Sequence, residues 1–457
     1  MRNLARCLVA FIAVLIAVAA SAADPWTAVP EILSRIVPPH FPARDFVITK
    51  YGATDGGDAS TAIAKAIDAC SRAGGGHVIV PKGDYLTGPI QLRSHVDLHL
   101  DAGATLRFSQ DPARYPNVLT RWEGVELMNY SPLIYAADCE DVAITGEGTL
   151  DGQADETHWW NWKAEKEPRL QNDDRNALFK QNDEGVPVAQ RVYGAGHFLR
   201  PTFVEPYRCK NILIEGITIR NAPFWVLHPT LSTNVTIRRV TVIGHGPNTD
   251  GCDPESCHDV LIEDCVFDTG DDCIALKSGR NADGRRINVP VENVVIRGCR
   301  MNNGHGGITV GSEVSGGARN IYAEKNRLDS PELERGLRVK TNSARGGVIE
   351  NIFARDIEIG NVKLAPIEID LRYMSESGDF PPAVRNIVVE RMHSEHSQHG
   401  LFIVALKQTP LRGVVVRDSA FRGVTNGHVI EGIVDLTLTD VTVEAAPPPP
   451  KPEKRKP

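Results

Sequence analysis

Asp259-Val-Leu-Ile-Glu-Asp-Cys-Val-Phe-Asp268-Thr-Gly270-Asp271-Asp272-Cys273-Ile-Ala-Leu-Lys277 carries both a repeat and a carboxylate pair. The repeat opens with Asn or Asp, then an aliphatic residue, then alternating apolar and polar positions. It recurs as Asp141-Val-Ala-Ile, Asn211-Ile-Leu-Ile, Asn234-Val-Thr-Ile, Asn293-Val-Val-Ile and Asn320-Ile-Tyr-Ala. It continues through Asn351-Ile-Phe-Ala, Asn386-Ile-Val-Val, Gly413-Val-Val-Val and Asp440-Val-Thr-Val. From Asn211 onward the interval is roughly 23–35 residues, inside the period that marks a solenoid. Each interval holds two or three short β-branched runs broken by Gly, Asn or Asp, the pattern of strands and turns. Three short strands per period describe an all-β fold, a parallel β-helix. Leucine-rich repeats fit poorly, because the Leu spacing and helical segments they need are missing.

Within the quoted stretch, Asp271 and Asp272 are adjacent. Adjacent side chains on a regular strand point to opposite faces, so the pair converges on one ligand only at a turn or bulge. Gly270, which tolerates unusual φ/ψ, is expected to supply that freedom. A lone Gly-Asp-Asp is ordinarily a solvated turn. This one has company: Asn248-Thr249-Asp250 upstream, and Gly304-His305-Gly306 and Arg338-Val339-Lys340 downstream. Counted from each unit's leading Asn or Asp, these motifs fall on comparable parts of four consecutive coils. Coils stack like paired strands, about 4.8 Å apart, so residues far apart in sequence are expected to line one groove.

This ordered set, Asn-Thr-Asp, Gly-Asp-Asp, Gly-His-Gly and Arg-x-Lys, closely resembles that of the polygalacturonases, glycoside hydrolase family 28. The resemblance spans roughly residues 44–430 and implies a right-handed parallel β-helix and inverting hydrolysis of α-1,4-galacturonosidic bonds. It implies that Asp271 is the general acid and that Asp250 with Asp272 positions and deprotonates water. It further implies that His305 supports protonation of the acid, and that Arg338 and Lys340 hold a galacturonate carboxylate. The chemistry agrees with these residue types. Glycosidic cleavage needs an acid on the leaving oxygen and a carboxylate for water, about 6.5–9.5 Å apart in the inverting geometry. Clustered like charges keep one carboxyl protonated. Arg binds carboxylate bidentately while Lys adds a point charge. Asn248, His228, Lys277 and Tyr373 share the register and are candidate substrate-binding residues, Tyr373 by stacking on a sugar ring. For His228, Lys277 and Tyr373 ordinary packing or solvation is an equal alternative.

The chain has 457 residues, 42% of them apolar, and a formal net charge of −8. That charge argues against a general polyanion-binding surface, so no nucleic-acid partner is expected. Residues 1–23 read as a secretory signal peptide: a basic start, an apolar run and Ala20-Ser21-Ala22 before the cleavage point. The expectation is therefore an exported protein, periplasmic or secreted, with no membrane attachment after cleavage. Residues 24–445 read as one β-helical catalytic domain, acting as a monomer on a pectic polysaccharide or oligogalacturonide. Residues 446–457 read as a disordered Pro- and Lys-rich tail. Ala62 to Ala73 has helical spacing and is expected to cap the open end of the solenoid. Eight cysteines remain after the signal. Cys252 and Cys257 fit a bridged loop or two buried thiols, and Cys265 and Cys299 a stacked or bridged pair for which Cys273 competes.

An insert at 153–208 interrupts the ladder and contains Trp159, Trp160 and Trp162. Such side chains favour packing, and long loops in compact folds are usually functional. The insert is expected to wall one end of the groove and make attack exo. Gly304-His-Gly-Gly-Ile-Thr-Val-Gly-Ser-Glu313 likewise looks like the bacterial exo-acting members. Alternatives are endo attack and rhamnogalacturonan hydrolysis. A pectate lyase would gather Asp250, Asp253, Asp271 and Asp272 around Ca²⁺, and a β-helical adhesion module would bind without cutting. The motif set favours the hydrolase, with no metal or other cofactor.

Overall fold

The computed structural model describes residues 24–163 and 170–447. The expected signal peptide, and all but the first two residues of the expected tail, lie outside those residues. The chain winds as a right-handed parallel β-helix. One parallel sheet gathers 21 strands, a second six and a third three. Successive coils pair in register, so identical positions stack: Val235, Val260, Val294, Ile321, Ile352, Ile387 and Val414 form one continuous column. All seven are buried, each worth about 1.5–3 kcal/mol relative to exposure.

The leading Asn or Asp of each repeat has a structural cause. Asn211, Asn234, Asp259, Asn293, Asn320, Asn351 and Asn386 all have φ between 55° and 58°, a left-handed corner that Asn and Asp tolerate better than other side chains. Their amides form a ladder, with Asn234 donating to Asn211 at 2.8 Å, Asn351 to Asn320 at 3.0 Å and Asn386 to Asn351 at 2.7 Å. At Gly413 the corner is kept without a side chain.

Helix Ser60–Arg72 buries Ala62, Ile63, Ala66, Ile67 and Cys70 and packs on the first strands at the N-terminal end of the coil. A second N-terminal helix, Val29–Arg35, was not anticipated. It lies on the outer face of later coils against Leu261, Val295, Tyr322 and Phe353, with Arg35 paired to Asp259 at 2.8 Å. Among the described residues no helix is long and apolar enough to cross a membrane. The eight described cysteines are free thiols, so the bridging option at Cys252 and Cys257 is not taken; both are buried.

Two features break the ladder above the site. Strands Asn117–Trp122 and Val125–Tyr130 form an antiparallel hairpin whose tip, Glu123 (φ 42°) and Gly124 (φ 82°), has the two positive φ values of a primed turn. The insert follows, but it ends before residue 208, because Val204–Tyr207 already pairs with Ile134–Ala137 in the ladder. Trp159 is buried against Tyr115 and Tyr130, and Trp162 packs on Trp159 and Phe198. Helix Leu170–Asp183 then joins the hairpin through Trp122, Leu127, Leu178 and Leu199.

Candidate active site

Register brings the motifs together. Cys252 bridges to Ile274 on the next coil, so Asp250 and Asp272 stand at equal positions on consecutive turns. Ile274 pairs with Ile308, and Ile308 with Leu337, which sets His305, Arg338 and Lys340 one and two coils further on. Thr249 knits the first two motifs: its hydroxyl lies 2.8 and 2.7 Å from the carbonyls of Gly244 and Gly246 and accepts the Gly270 N–H at 3.2 Å. Gly270 itself has no positive φ, contrary to the expectation. A Cβ there would stand 2.3 Å from the Gly246 carbonyl oxygen; clearance, not backbone freedom, demands glycine.

One oxygen from each of Asp250, Asp271 and Asp272 lies within 4.8 Å of the others. That is shorter than the separation expected for an inverting acid and base. The three carboxylates have different surroundings. Asp272 is fully buried, with Lys340 Nζ at 2.6 Å and Arg338 Nη1 at 3.3 Å. Burial opposes its ionisation, but these two cations outweigh it and hold the carboxyl below its ordinary range. Asp271 accepts from the Asp272 N–H at 2.9 Å and from Asn248 Nδ2 at 3.3 Å, with His305 Nδ1 at 2.9 Å. Burial again opposes ionisation, and His305 with Lys340 and Lys163 overcomes it, so Asp271 is held low. His305 is correspondingly raised to about 9 by its hydrogen bond to Asp271. Asp250 goes the other way: burial first, and Asp271 beside it, push it up to about 8.

Lys277 is buried among acids, 3.7 Å from Asp250, 3.6 Å from Asp253 and 3.4 Å from Glu313, with its Nζ 4.5 Å from the centre of the Trp225 ring. Arg338 also donates to Glu368 at 3.0 Å. Lys277, Arg338, Lys340 and His305 thus set positive charge among the clustered carboxylates.

Above the carboxylates lies a cavity of about 300 Å³. Of the sequence candidates, Asn248, Asp250, Asp271, Lys277, His305, Lys340 and Tyr373 line it. Asp272 and Arg338 sit behind that surface. The Tyr373 ring has Lys340 Nζ at 5.1 Å and Arg338 at 5.4 Å from its centroid. His228 does not reach the cavity. It is fully buried, with Nε2 2.8 Å from Glu255 and Nδ1 3.8 Å from Glu205, and the substrate-facing expectation for it is corrected. Register put position 228 on the same face as Arg338, but the hairpin covers it there: Thr120 donates to Glu205 at 2.8 Å and Arg121 lies 3.1 Å from Glu255.

Sequence reasoning missed the upper wall. Glu123 comes from the hairpin tip, and Lys163, Gln171 and Arg175 from the insert. Arg175 donates to Glu123 at 2.9 Å and Lys163 to Asn248 Oδ1 at 2.6 Å. The primed-turn pair Glu123-Gly124 was the only local signal available; Lys163 and Arg175 read as surface charges.

The family model described as "Glycosyl hydrolases family 28" matches residues 195–427. Among solved structures, the hyperthermoactive exopolygalacturonase of Thermotoga maritima superposes with a TM-score of 0.88 at 44% identity, covering 92% of this chain and 96% of that one. A "Probable polygalacturonase" of Vitis vinifera is 33% identical over 302 residues, 64% of this chain and 55% of that protein. The exo-poly-alpha-D-galacturonosidase of Dickeya chrysanthemi is 27% identical over 384 residues, 78% of this chain and 60% of that protein. The chain thus spans less than two thirds of the length of these two curated relatives.

Proposed function

Because the chain belongs to family 28 of the glycosyl hydrolases, we propose that it hydrolyses α-1,4-galacturonosidic bonds of polygalacturonate from a chain end, with inversion. The observation that carries this reading is the meeting of Asp250, Asp271 and Asp272 with Lys277, Lys340 and His305 at the floor of one walled cavity. An acidic sugar needs cations for its carboxylates, and its glycosidic bond needs a proton donor and an activated water.

The roles follow from the surroundings. Asp272 stays ionised beside Lys340 and Arg338, and takes the proton of the attacking water. Asp250, protonated near neutral pH, fixes that water from the other side. Asp272 is buried behind Lys340 and does not reach a sugar carbon directly, so a water intervenes despite the short carboxylate spacing. Asp271 and His305 share one proton. Sealing the site against solvent favours the neutral carboxyl over the ion pair, and Asp271 then protonates the leaving oxygen. Lys340 and Tyr373 receive the sugar carboxylate and ring, Arg338 backs them from behind the cavity surface, and Lys277 holds Asp250 and Trp225 in place.

Exo attack is supported by the insert and the hairpin, which place Glu123, Lys163, Gln171 and Arg175 over the carboxylates. A cavity of about 300 Å³ is at the small end for ligand sites and suits a chain terminus. Export through the leader read at residues 1–23 brings the enzyme to such a polymer. The test is product chromatography with viscometry on polygalacturonate. Mono- or digalacturonate should appear from the first minutes while viscosity falls slowly; a rapid viscosity drop with mixed oligomers would establish endo attack. Unsaturated, ultraviolet-absorbing products lost with chelator would establish a lyase.

A further inference from the structure

We propose that Lys163 and Arg200, both from the insert, are positioning residues that act on Asp271 through the amide of Asn248. The proposal rests on the hydrolytic reading of the site and adds to it a control that the motifs do not contain.

Asn248 sits in the left-handed region, φ 56°, with its side chain between the insert and the carboxylates. Its Oδ1 receives Lys163 Nζ at 2.6 Å and Arg200 Nη2 at 2.9 Å. Ammonium and guanidinium groups donate and never accept, and an amide oxygen has two lone pairs. Both are therefore filled, and the flipped amide, which would press NH₂ against two cations, is excluded. Nδ2 is left to point at Asp271 Oδ2, 3.3 Å away.

Arg200 is a rigid anchor. It is completely buried, and its other donors go to Gln171 Oε1 at 2.6 Å and to the carbonyls of Pro223 at 2.8 Å and Pro247 at 2.7 Å. It thus holds the backbone before Asn248 as well as the amide. On Asp271, the Asn248 and Asp272 N–H groups donate whatever the pH, so only the His305 contact can reverse. Donors to the charged form make a carboxyl a stronger acid. The relay therefore sharpens the proton donor, and it makes the insert part of the chemistry as well as part of the wall.

His305 faces Asp271, Asp272 and Glu334, with Arg335 at its own carbonyl; Asp271 also faces Asp250, Lys340 and Lys163. The test follows the His305 imidazole by NMR in the full chain, for wild type, Lys163→Met, Asn248→Ala and the double variant. Each single change should move the midpoint up from about 9 by roughly 0.3–1 unit, since Asp271 holds the shared proton harder once a donor is lost. In the Asn248→Ala background Lys163→Met should move the midpoint much less than it does alone, the remainder being the direct charge effect of Lys163 on Asp271. Lys163→Arg should restore the wild-type value. A Lys163→Met shift of the same size with and without Asn248 would be a direct charge effect and overturns the relay, as would no shift at all. In turnover, kcat should fall about tenfold with KM within about twofold; a raised KM with kcat unchanged makes Lys163 a sugar contact and also overturns it. The titration decides the relay even if wild type fails to hydrolyse, an outcome that would sink only the hydrolytic reading. Lys163, on the cavity wall, carries the test because replacing buried Arg200 endangers the fold.

Discussion

Lys340 Nζ stands 2.6 Å from Asp272 Oδ2, and both groups are buried. The cation read from sequence as a clamp for substrate is thus already committed to a carboxylate of the enzyme, which ties sugar recognition to water activation.

Removing that cation therefore has two expected effects. In Lys340→Met, Asp272 protonates at higher pH, because its carboxyl was held low and loses the strongest of the cations around it, keeping Arg338 and the more distant Lys277. The acid limb of kcat/KM should rise by about one unit, and stability should fall by about 3 kcal/mol, the order seen when a buried pair loses one partner. Raised KM with an unmoved limb would mean that Lys340 serves the substrate alone.

Asp271→Asn keeps the shape of the acid but cannot donate a carboxyl proton. We expect kcat to drop by on the order of 10²–10⁴ with KM nearly unchanged. Proton NMR of the first product of wild type should show the inverted anomer. Retention would require a carboxylate to reach the sugar directly, against the burial of Asp272.

Asp250 is raised to about 8, so the stability contributed by its neutral form is complete below its unfolded value of 3.8 and is lost as pH rises through about 8. Asp250→Asn, neutral at every pH, should consequently melt about 2 °C or more above wild type at pH 9 and show no such gain at pH 4, while hydrolysis is lost. Equal melting curves at pH 9 would show that Lys277 fully compensates the charge.

The wall has its own test. A Cβ on Gly124 would lie 2.6 Å from the Arg280 backbone nitrogen, at φ 82°. Gly124→Ala should destabilise by about 1–3 kcal/mol and displace the tip bearing Glu123. Chromatography should then show longer early products than wild type releases. An unchanged product pattern would remove the hairpin from control of chain-end attack.

Much of the molecule was legible from local patterns. The leading Asn and Asp residues from Asp141 to Asp440 each marked a left-handed corner, while a second set at Arg239, Asp264, Lys325, Asp356, Arg391 and Asp418 carried no such sign. The helix at Ser60–Arg72 followed from the spacing of Ala62, Ile63, Ala66, Ile67 and Cys70. In-register stacking carries such readings far, because one repeat predicts its neighbours. The same periodicity misled at His228, where the column continued but the hairpin residues Thr120 and Arg121 cover the face. It was silent on Gly270, whose constraint is a carbonyl on another coil.

What the sequence alone determined, then, is everything that repeats: the coil, its corners, its aliphatic columns, and the alignment of Asp250, Asp271, Asp272, His305, Arg338 and Lys340 on one face. Only the tertiary structure decided what covers that face. Glu123, Lys163, Arg175 and Arg200 lie in segments with no period, and the contacts that bring them to the site span 48 to 85 positions: Arg200 and Lys163 on Asn248, and Arg175 on Glu123. The physical reason is that a strand ladder propagates through backbone hydrogen bonds between like positions. A wall instead packs through side chains such as Trp122, Leu178 and Leu199, whose meeting no local pattern encodes.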